Sequence, residues 1–195
     1  MIWGVSELDM KNKAVFLDRD GTLNKDSIDY IKHLSEYEIF DFTPEALRIL
    51  QKMGFKLVVI TNQSVIARGM SSTKEVESIH NFLTNELKKH GVTLDGIYYC
   101  PHHPDDNCPC RKPETGNIEK AIKDHNIDPI RSYFIGDSKR DIEAGKKVGC
   151  KTILVLTGER IKSPDETTNW NIKPDHVTKD LLEAAKLIQK IESSK

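Results

Sequence analysis

A short apolar run, Ala14–Leu17, stops abruptly at two carboxylates, Asp18 and Asp20. A run of this length and composition predicts a buried β-strand. Gly21 then allows the backbone to turn away at once, so that both acids can face a crevice at the carboxyl end of the strand. Open α/β sheets bind their ligands in such crevices, so this stretch constrains both the fold and the place where chemistry can occur.

Two carboxylates this close together suit phosphoryl transfer. One of them can attack an electrophilic phosphorus as a nucleophile and form an aspartyl-phosphate, while the other donates and then accepts a proton. The ordinary alternative is a polar turn that closes a strand, because acids and glycine are common turn residues. A bare D-x-D-G pattern favours the turn, and the rest of the chain has to decide between the two interpretations.

Chain length and charge limit the kinds of partner. With 195 residues and 37% hydrophobic content, the chain can bury one sizeable core but is short for two, so we expect a single domain over residues 1–195. The 29 basic and 30 acidic residues nearly cancel, which leaves no long-range field to attract nucleic acid or an anionic membrane. We therefore expect a protein that acts on a small molecule and has no nucleic-acid or membrane partner. We also expect it to be a monomer.

The amino-terminal residues 1–10 lack the positive start and the apolar core of a signal peptide, and no apolar run in the chain is long enough to span a membrane. We therefore expect a cytoplasmic protein. In that reducing compartment, closely spaced cysteines bind metal more often than they form disulfides.

Cys100, Cys108 and Cys110 share one short loop with His102 and His103. Zinc takes four such ligands tetrahedrally, and two C-x-[C/H] pairs joined by a short polar segment can wrap one ion. The prolines of the loop stiffen it and lower the entropy lost when metal closes it. The spacing predicts a zinc site with either histidine as the fourth ligand. Because four protein ligands leave no open position, we expect its role to be structural.

Strand and helix signals alternate along the remaining chain and predict a doubly wound α/β fold with a mainly parallel sheet. Further strands are predicted at Lys56–Ile60, Gly96–Tyr99, Ser132–Asp137 and Lys151–Leu156, and a helix at Thr115–His125. Thr43, Ser72 and Thr178 are predicted to cap the helices that follow them. Residues 24–42 and 158–175 are predicted to be loops, and the sequence does not show what the second one does.

Four stretches resemble, in order, the motifs of the haloacid dehalogenase (HAD) superfamily of phosphatases. The stretch Ala14–Asn24 resembles the first motif, and the resemblance implies that Asp18 is the nucleophile and Asp20 the general acid and base. Thr61 matches the threonine that binds the transferring phosphoryl group. Lys112 matches the cation that neutralises that group and the nucleophile.

The fourth motif is matched by the G-D-x-x-x-D string that contains Asp137 and Asp141. The resemblance implies that Asp137 binds Mg²⁺ together with Asp18 and the main-chain carbonyl of Asp20. Asp141 would orient Lys112 or a bound water, or it simply supplies a favourable negative charge at a helix start. The resemblance also implies a HAD-like Rossmannoid fold, and residues 24–42 are too few to form a separate cap domain.

The zinc loop narrows the resemblance to the branch of histidinol-phosphate and heptose-bisphosphate phosphatases. The branch pattern C-x-H…C-x-C falls on Cys100, His102, Cys108 and Cys110, which makes His102 the implied ligand and not His103.

Within this branch, the runs Thr61–Gly69 and Tyr98–Pro104 look most like phosphatases that remove the 7-phosphate of a heptose 1,7-bisphosphate during lipopolysaccharide synthesis. The residues implied to bind substrate are Asn62, Gln63, Ser64, Arg68 and Arg111. Histidinol phosphate is the alternative substrate. A zinc-stabilised binding module without catalysis is a third hypothesis, but it would be expected to lack Asp18, Asp20 or Lys112. The absence of a basic surface run disfavours a DNA 3′-phosphatase.

Overall fold

The computed structural model describes residues 11–194. In this part of the chain the strands are β1 (Ala14–Leu17), β2 (Lys56–Asn62), β3 (Gly96–Cys100), β4 (Tyr133–Gly136), β5 (Lys151–Val155) and β6 (His176–Thr178). The α-helices are α1 (Thr43–Lys52), α2 (Thr73–Lys89), α3 (Gly116–Asp124), α4 (Lys139–Lys147) and α5 (Leu181–Ser193). The amino-terminal segment, for which the sequence predicts no signal peptide, lies outside the described residues.

The strands form one parallel sheet in the order β3-β2-β1-β4-β5-β6. The chain winds outward from β1 to β3 and then continues on the other side of β1, so the direction of winding reverses between β1 and β4. In β1, Val15 lies opposite Leu57 of β2 on one side and Tyr133 of β4 on the other. The predicted doubly wound α/β fold is confirmed, and its ligand crevice is expected where the winding reverses.

Both faces of the sheet are covered by helices. Val15 and Leu17 pack into a core with residues of α1, α2 and α5, whereas Ala14 and Phe16 point to the opposite face and pack with residues of α3 and α4. All four side chains are fully buried. This two-sided burial explains why the strand is a continuous apolar run and does not alternate with polar residues.

Two predicted helix caps are wrong. Thr43 is the first residue of α1 and not its cap, because its hydroxyl turns inward and donates to the carbonyl oxygen of Leu23 at 2.8 Å. Thr178 ends β6, and α5 is capped instead by Asp180, which accepts a hydrogen bond from the Glu183 amide at 2.9 Å. With three half-buried residues, β6 is too short an edge strand to leave a recognisable sequence pattern.

The capping of α2 by Ser72 is confirmed, since its hydroxyl accepts from the Glu75 amide at 3.1 Å. The Glu75 carboxylate does not complete a capping box and accepts instead from the Leu34 amide at 2.9 Å. This bond ties the loop of residues 24–42 to α2. Ile31 and Tyr37 of the same loop are buried in the core, so the loop packs as part of the main body and forms no separate cap within the described residues.

Candidate active site

A cleft of about 300 Å³ opens at the carboxyl ends of β1, β2 and β4. Asp18 follows β1, Thr61 and Asn62 end β2, and Asp137 follows β4. Parallel strands bring their carboxyl ends to the same edge of the sheet, so residues far apart in sequence meet here. Of the residues that the sequence analysis places in the site, those lining this cleft are Asp18, Asp20, Thr61, Asn62, Ser64, Arg68, Arg111, Lys112 and Asp137.

Lys112 connects two carboxylates at the floor of the cleft. Its Nζ lies 2.9 Å from Asp18 Oδ1 and 2.6 Å from Asp141 Oδ1, and it donates to the Ile60 carbonyl oxygen at 2.6 Å. Burial lowers the pKa of Lys112, but the two carboxylates outweigh this effect and the pKa is raised. The lysine is therefore a fixed positive charge beside Asp18, in the position that the motif resemblance implies.

Opposing effects determine the pKa of Asp18. Burial raises the pKa of its carboxyl, the neighbouring Asp141 raises it further, and Lys112 opposes both, with a result of about 7. The side chain is 13% exposed, so it faces the cleft although it is mostly enclosed. An additional positive charge in the cleft would favour the ionised, nucleophilic form of Asp18.

Asp20 faces the cleft within a dense set of hydrogen-bond donors. Arg19 donates to it from Nε and Nη2, both at 2.9 Å, while Asn24 Nδ2 and Gln63 Nε2 donate at 2.9 Å each. Although burial raises the pKa of Asp20, the charge and the hydrogen bonds of Arg19 outweigh burial and lower it below its usual value. The carboxyl group is consequently strongly oriented.

Asp137, Asp18 and Asp141 form a cluster in which one carboxylate oxygen of each lies within 4.8 Å of the others. Burial and the charges of Asp141 and Asp18 raise the pKa of Asp137 well above its ordinary value. Within the described residues, Asp137 forms no ion pair of its own, so the cluster carries more negative charge than Lys112 can balance. Oxygen ligands with excess negative charge are the donor set that Mg²⁺ prefers.

Asn62 fixes the backbone on which Lys112 is carried. Its Oδ1 accepts from the Lys112 amide at 3.0 Å, and its Nδ2 donates to the Lys112 carbonyl oxygen at 3.1 Å. This two-point contact joins the end of β2 to the loop that contains the cysteines. Asn62, which is predicted to bind substrate, therefore also positions Lys112.

The loop before Lys112 gathers Cys100, His102, Cys108 and Cys110 around one point. The Cys108 sulfur lies 3.4 Å from both other cysteine sulfurs, and His102 Nδ1 lies 3.3 Å from Cys110 Sγ. These separations are too long for disulfide bonds and suit four ligands around one tetrahedral ion. His103 instead accepts a hydrogen bond from the Asp105 amide and begins a short 3₁₀ turn, so the geometry favours His102 as the fourth ligand.

Gln63 is the one predicted substrate-binding residue that does not line the cleft. It is 2% exposed, its Oε1 accepts from Arg19 at 3.0 Å, and its Nε2 donates to both Asp20 and Thr61. Since its amide is fully engaged inside the protein, Gln63 supports the side chains that reach the cleft. Thr61 Oγ1 uses a lone pair for this bond and keeps its hydroxyl proton available.

The sequence analysis missed several residues of the site. Arg19 and Asn24 donate to Asp20, and His80 contacts Arg19. Arg140 and Arg160 line the cleft together with Arg111. The sequence position of Arg19, between the two acids, is the only signal that could have drawn attention to it. Nothing in the local sequence distinguishes Arg140 and Arg160 from other exposed arginines.

The fold and the carboxylate-lysine centre define a hydrolase of the HAD type, with catalytic groups at the carboxyl ends of a doubly wound sheet. The model of the HAD-hydrolase-like family matches residues 109–184, which include Lys112, Asp137 and Asp141. A crystal structure of D,D-heptose 1,7-bisphosphate phosphatase from B. bronchiseptica, complexed with magnesium and phosphate, superposes with a TM-score of 0.84 at 32% identity. The match covers 92% of this chain and 99% of that one.

Curated relatives narrow the class further. The D-glycero-beta-D-manno-heptose-1,7-bisphosphate 7-phosphatase of Haemophilus ducreyi is 44% identical over 165 residues, which span 80% of this chain and 90% of the relative. The enzyme of the same name from Escherichia coli is 42% identical over 167 residues, or 80% of this chain and 86% of the relative. The chain belongs to the family of D-glycero-D-manno-heptose-1,7-bisphosphate 7-phosphatases, and it is a phosphatase.

Proposed function

We propose that this phosphatase removes the 7-phosphate of D-glycero-D-manno-heptose 1,7-bisphosphate. The observation that carries the proposal is a cleft with the Asp18–Lys112 pair at its floor and four arginines around it, Arg68, Arg111, Arg140 and Arg160. A bisphosphate brings one dianion to the floor and a second one to the guanidinium groups. The names of the relatives described above support the same substrate.

Asp18 attacks the 7-phosphorus in line and forms an aspartyl-phosphate. Lys112 offsets the charge of the phosphoryl oxygens, and the hydroxyl of Thr61 donates to one of them. Both groups are held rigidly, Lys112 by Asp141 and the Ile60 carbonyl, and Thr61 by its bond from Gln63. This preorganisation means that little rearrangement is needed when charge develops.

Asp20 serves the two proton transfers. It protonates the leaving sugar oxygen as the phosphorus–oxygen bond breaks, and it then accepts a proton from the water that hydrolyses the aspartyl-phosphate. The position of Asp20 next to Asp18 at the cleft, with Asn24 and Gln63 holding its two oxygens, supports this role.

The residues of the cleft fit a magnesium ion. Asp18, Asp137 and the main-chain carbonyl of Asp20 would hold it, as the uncompensated carboxylate cluster supports. When bound, Mg²⁺ offsets the negative charge of the phosphate dianion and of Asp18. The donor set of Cys100, His102, Cys108 and Cys110 fits Zn²⁺, which would close the loop without an open coordination position.

The second phosphate separates the two candidate substrates. Nη1 of Arg111 is buried without a hydrogen-bond partner in the described part of the chain, and Arg140 is close enough to lower the Arg111 pKa, after burial as the larger cause. Two guanidinium groups that repel each other are stabilised by a dianion between them. Histidinol phosphate offers a cation in place of that dianion, so the arrangement favours the bisphosphate.

General features of the chain support a cellular location and an oligomeric state. Of the helices within residues 11–194, none is both long enough and apolar enough to serve as a membrane span. Free thiols grouped as metal ligands support a reducing compartment, and we include a cytoplasmic location in the proposal. A monomeric state is proposed as well, since the large apolar side chains exposed in the described residues, Ile28, Met70 and Ile130, are scattered along the chain.

The test compares phosphate release from D-glycero-D-manno-heptose 1,7-bisphosphate and from histidinol phosphate. We expect a higher kcat/KM for the heptose bisphosphate, and we expect Arg111→Ala to lower that value roughly tenfold to a hundredfold, because a hydrogen bond to a charged group contributes about 1.5–3 kcal/mol. The matched control is Arg131→Ala, because Arg131 is exposed and lies outside the cleft. This variant should leave the ratio of kcat/KM for the two substrates unchanged. Equal or better efficiency on histidinol phosphate would contradict the substrate assignment and leave the phosphatase chemistry standing.

A further inference from the structure

Arg19 stands between the two cleft carboxylates in sequence, yet it does not line the cleft. Its side chain is 0% exposed and is the largest fully buried side chain in the described part of the protein. A buried guanidinium group is costly to desolvate and persists only where its donors are satisfied. Its partners therefore indicate what it is for.

Two of the donors of Arg19 form a fork on Asp20. Nε lies 2.9 Å from Oδ1 and Nη2 lies 2.9 Å from Oδ2, which fixes the plane of the carboxylate as well as its distance. Asn24 and Gln63 add one bond each to the same two oxygens. The direction in which Asp20 faces the cleft is therefore set by buried side chains that do not line the cleft.

Arg19 is itself held by acceptors on two other elements. Nη1 lies 3.1 Å from His80 Nε2 on α2, and Nη2 donates at 3.0 Å to Gln63 Oε1 after β2. An arginine has only donors, so His80 Nε2 must be the acceptor and the ring must be neutral with its proton on Nδ1. The guanidinium plane also lies over the Tyr37 ring, 5.5 Å from its centroid. Arg19, His80 and Gln63 therefore form one buried hydrogen-bonded unit behind Asp20.

We propose that Arg19, held in place by His80 and Gln63, is a positioning residue that aims the Asp20 carboxyl at the leaving oxygen of the substrate. The inference rests on the proposed role of Asp20 in the reaction. Asp20 gives its proton to the leaving oxygen as the phosphorus–oxygen bond breaks, and the water that attacks the aspartyl-phosphate returns one. Arg19 takes part in neither transfer and acts only through Asp20.

The choice of leaving group separates this role from a merely structural one. A sugar alkoxide is a poor leaving group and needs the proton, whereas 4-nitrophenolate leaves readily without one. If the Asp20 carboxyl is no longer correctly oriented, hydrolysis of the sugar phosphate should therefore slow much more than hydrolysis of 4-nitrophenyl phosphate. A variant that merely loosens the fold would slow both to the same extent.

The experiment measures kcat/KM of the full chain with magnesium on heptose 1,7-bisphosphate and on 4-nitrophenyl phosphate. For Arg19→Met we expect a loss of about a hundredfold or more on the sugar phosphate, within the range that general acid–base catalysis supplies, and of less than about tenfold on the aryl phosphate. Arg19→Lys keeps the positive charge and should recover part of the loss. Equal losses on the two substrates, or no loss, would overturn the proposal.

A second pair of variants keeps the test decisive should Arg19→Met fail to fold. His80→Leu removes the acceptor for Arg19 and should show the selective loss on the sugar phosphate, whereas His80→Gln retains an acceptor and should recover most of that loss. Matching behaviour of the two variants on both substrates would contradict the proposal. The aryl phosphate reports phosphatase chemistry whatever the natural substrate is, so a wrong substrate assignment would show as poor wild-type activity on the heptose alone.

Discussion

At the scale of single residues, Lys112 determines the charge balance of the cleft. It compensates Asp18 and Asp141 at once, and it is 2% exposed, so water screens neither contact. Asp141 is shared in turn, because its other oxygen accepts from the Ser138 amide and hydroxyl at 3.0 and 2.6 Å. Both interpretations of Asp141 from the sequence are thus combined in one side chain, which orients Lys112 and also caps α4.

Asp18→Asn is expected to abolish turnover and to leave the fold intact. The amide is nearly isosteric with the carboxylate but is a poor nucleophile, and loss of a nucleophile typically costs more than about a thousandfold in kcat. Phosphate release measures the activity, and thermal unfolding checks the fold.

The same replacement at another carboxylate of the cleft provides the control. Asp26 lines the rim and contacts neither Lys112 nor Arg19 in the described structure, so Asp26→Asn should keep most of the activity. Near-normal turnover of Asp18→Asn would rule out the covalent mechanism.

The sequence identifies the residues that follow strands, because polar side chains after an apolar run stand out. It does not identify His80, which lies on α2 and accepts a hydrogen bond from Arg19, 61 positions away. A pairing over that separation leaves no spacing pattern. The inward orientation of Gln63 is hidden for the same reason, since its neighbours Asn62 and Ser64 both line the cleft.

At the scale of elements, the cysteine loop and β2 share the task of holding Lys112. The loop carries the residue, and Asn62 clamps both the amide and the carbonyl group of its backbone. We therefore expect a zinc ion that closes the loop to affect activity indirectly, through the position of Lys112.

Cys108→Ser is expected to remove the bound zinc, lower the melting temperature and reduce activity. A hydroxyl is a much weaker zinc ligand than a thiolate, and the free energy of metal binding contributes to folding. Cys150→Ser is the matched control, because Cys150 is buried beside α4 and lies outside the cluster. Elemental analysis should find about one zinc per chain in the wild type and in Cys150→Ser, and far less in Cys108→Ser.

Absence of zinc from wild-type protein purified under reducing, zinc-replete conditions would contradict the assignment of the four ligands. Retention of zinc in Cys108→Ser would contradict the place of Cys108 among them.

The central strands and most helices are predictable because buried apolar runs and helical spacing are strong signals. The errors lie at element ends, where tertiary contacts compete with local preference. Thr43 has the residue type of a cap, but the carbonyl of Leu23 offers its hydroxyl a buried partner. The edge strand β6 depends on pairing with β5 and not on a pattern of its own.

At the scale of the whole molecule, the site is placed where it destabilises the fold. Three carboxylates cluster at the edge of the sheet and Lys112 pairs with only two of them, while burial followed by the charges of Asp141 and Asp18 raises the pKa of Asp137. A carboxyl whose pKa is raised by folding binds its proton more tightly in the folded state. Its ionisation therefore lowers stability as the pH rises from the ordinary carboxyl pKa toward the raised value.

Asp137→Asn is consequently expected to raise the melting temperature of the metal-free protein at neutral pH. Magnesium should raise the melting temperature of the wild type, because it binds the folded state, and should do so much less for the variant. Scanning calorimetry with and without magnesium measures both effects.

The opposite sign is expected for Asp175→Asn. Burial raises the pKa of Asp175, but hydrogen bonds from Lys146 and Thr152 outweigh it and lower the pKa, so this carboxylate stabilises the fold at neutral pH. A lower melting temperature for metal-free Asp137→Asn than for the wild type would contradict the inference that the carboxylate cluster destabilises the fold and that magnesium restores the lost stability.

The parallel, doubly wound sheet is predictable as a whole because strand and helix signals alternate. The organisation of the full chain of 195 residues as one domain stays a prediction. What no local pattern predicts is the shape of the cleft rim, where Arg140 after β4 and Arg160 after β5 meet Arg68 and Arg111. Those neighbours depend on how three loops and the start of α4 are placed at the edge of the sheet.

The alternation of Asp18, Arg19 and Asp20 limits what insertions and deletions the gene can accept. Two acids face the cleft while the residue between them is buried, so removing or adding one codon here would turn the arginine outward and bury an acid. The loop of residues 158–175 leaves the same edge of the sheet and has no such alternation to preserve, whereas residues 24–42 pack into the core. Length changes among descendants of this gene should therefore accumulate in residues 158–175, and the spacing between the two acids should stay at one residue.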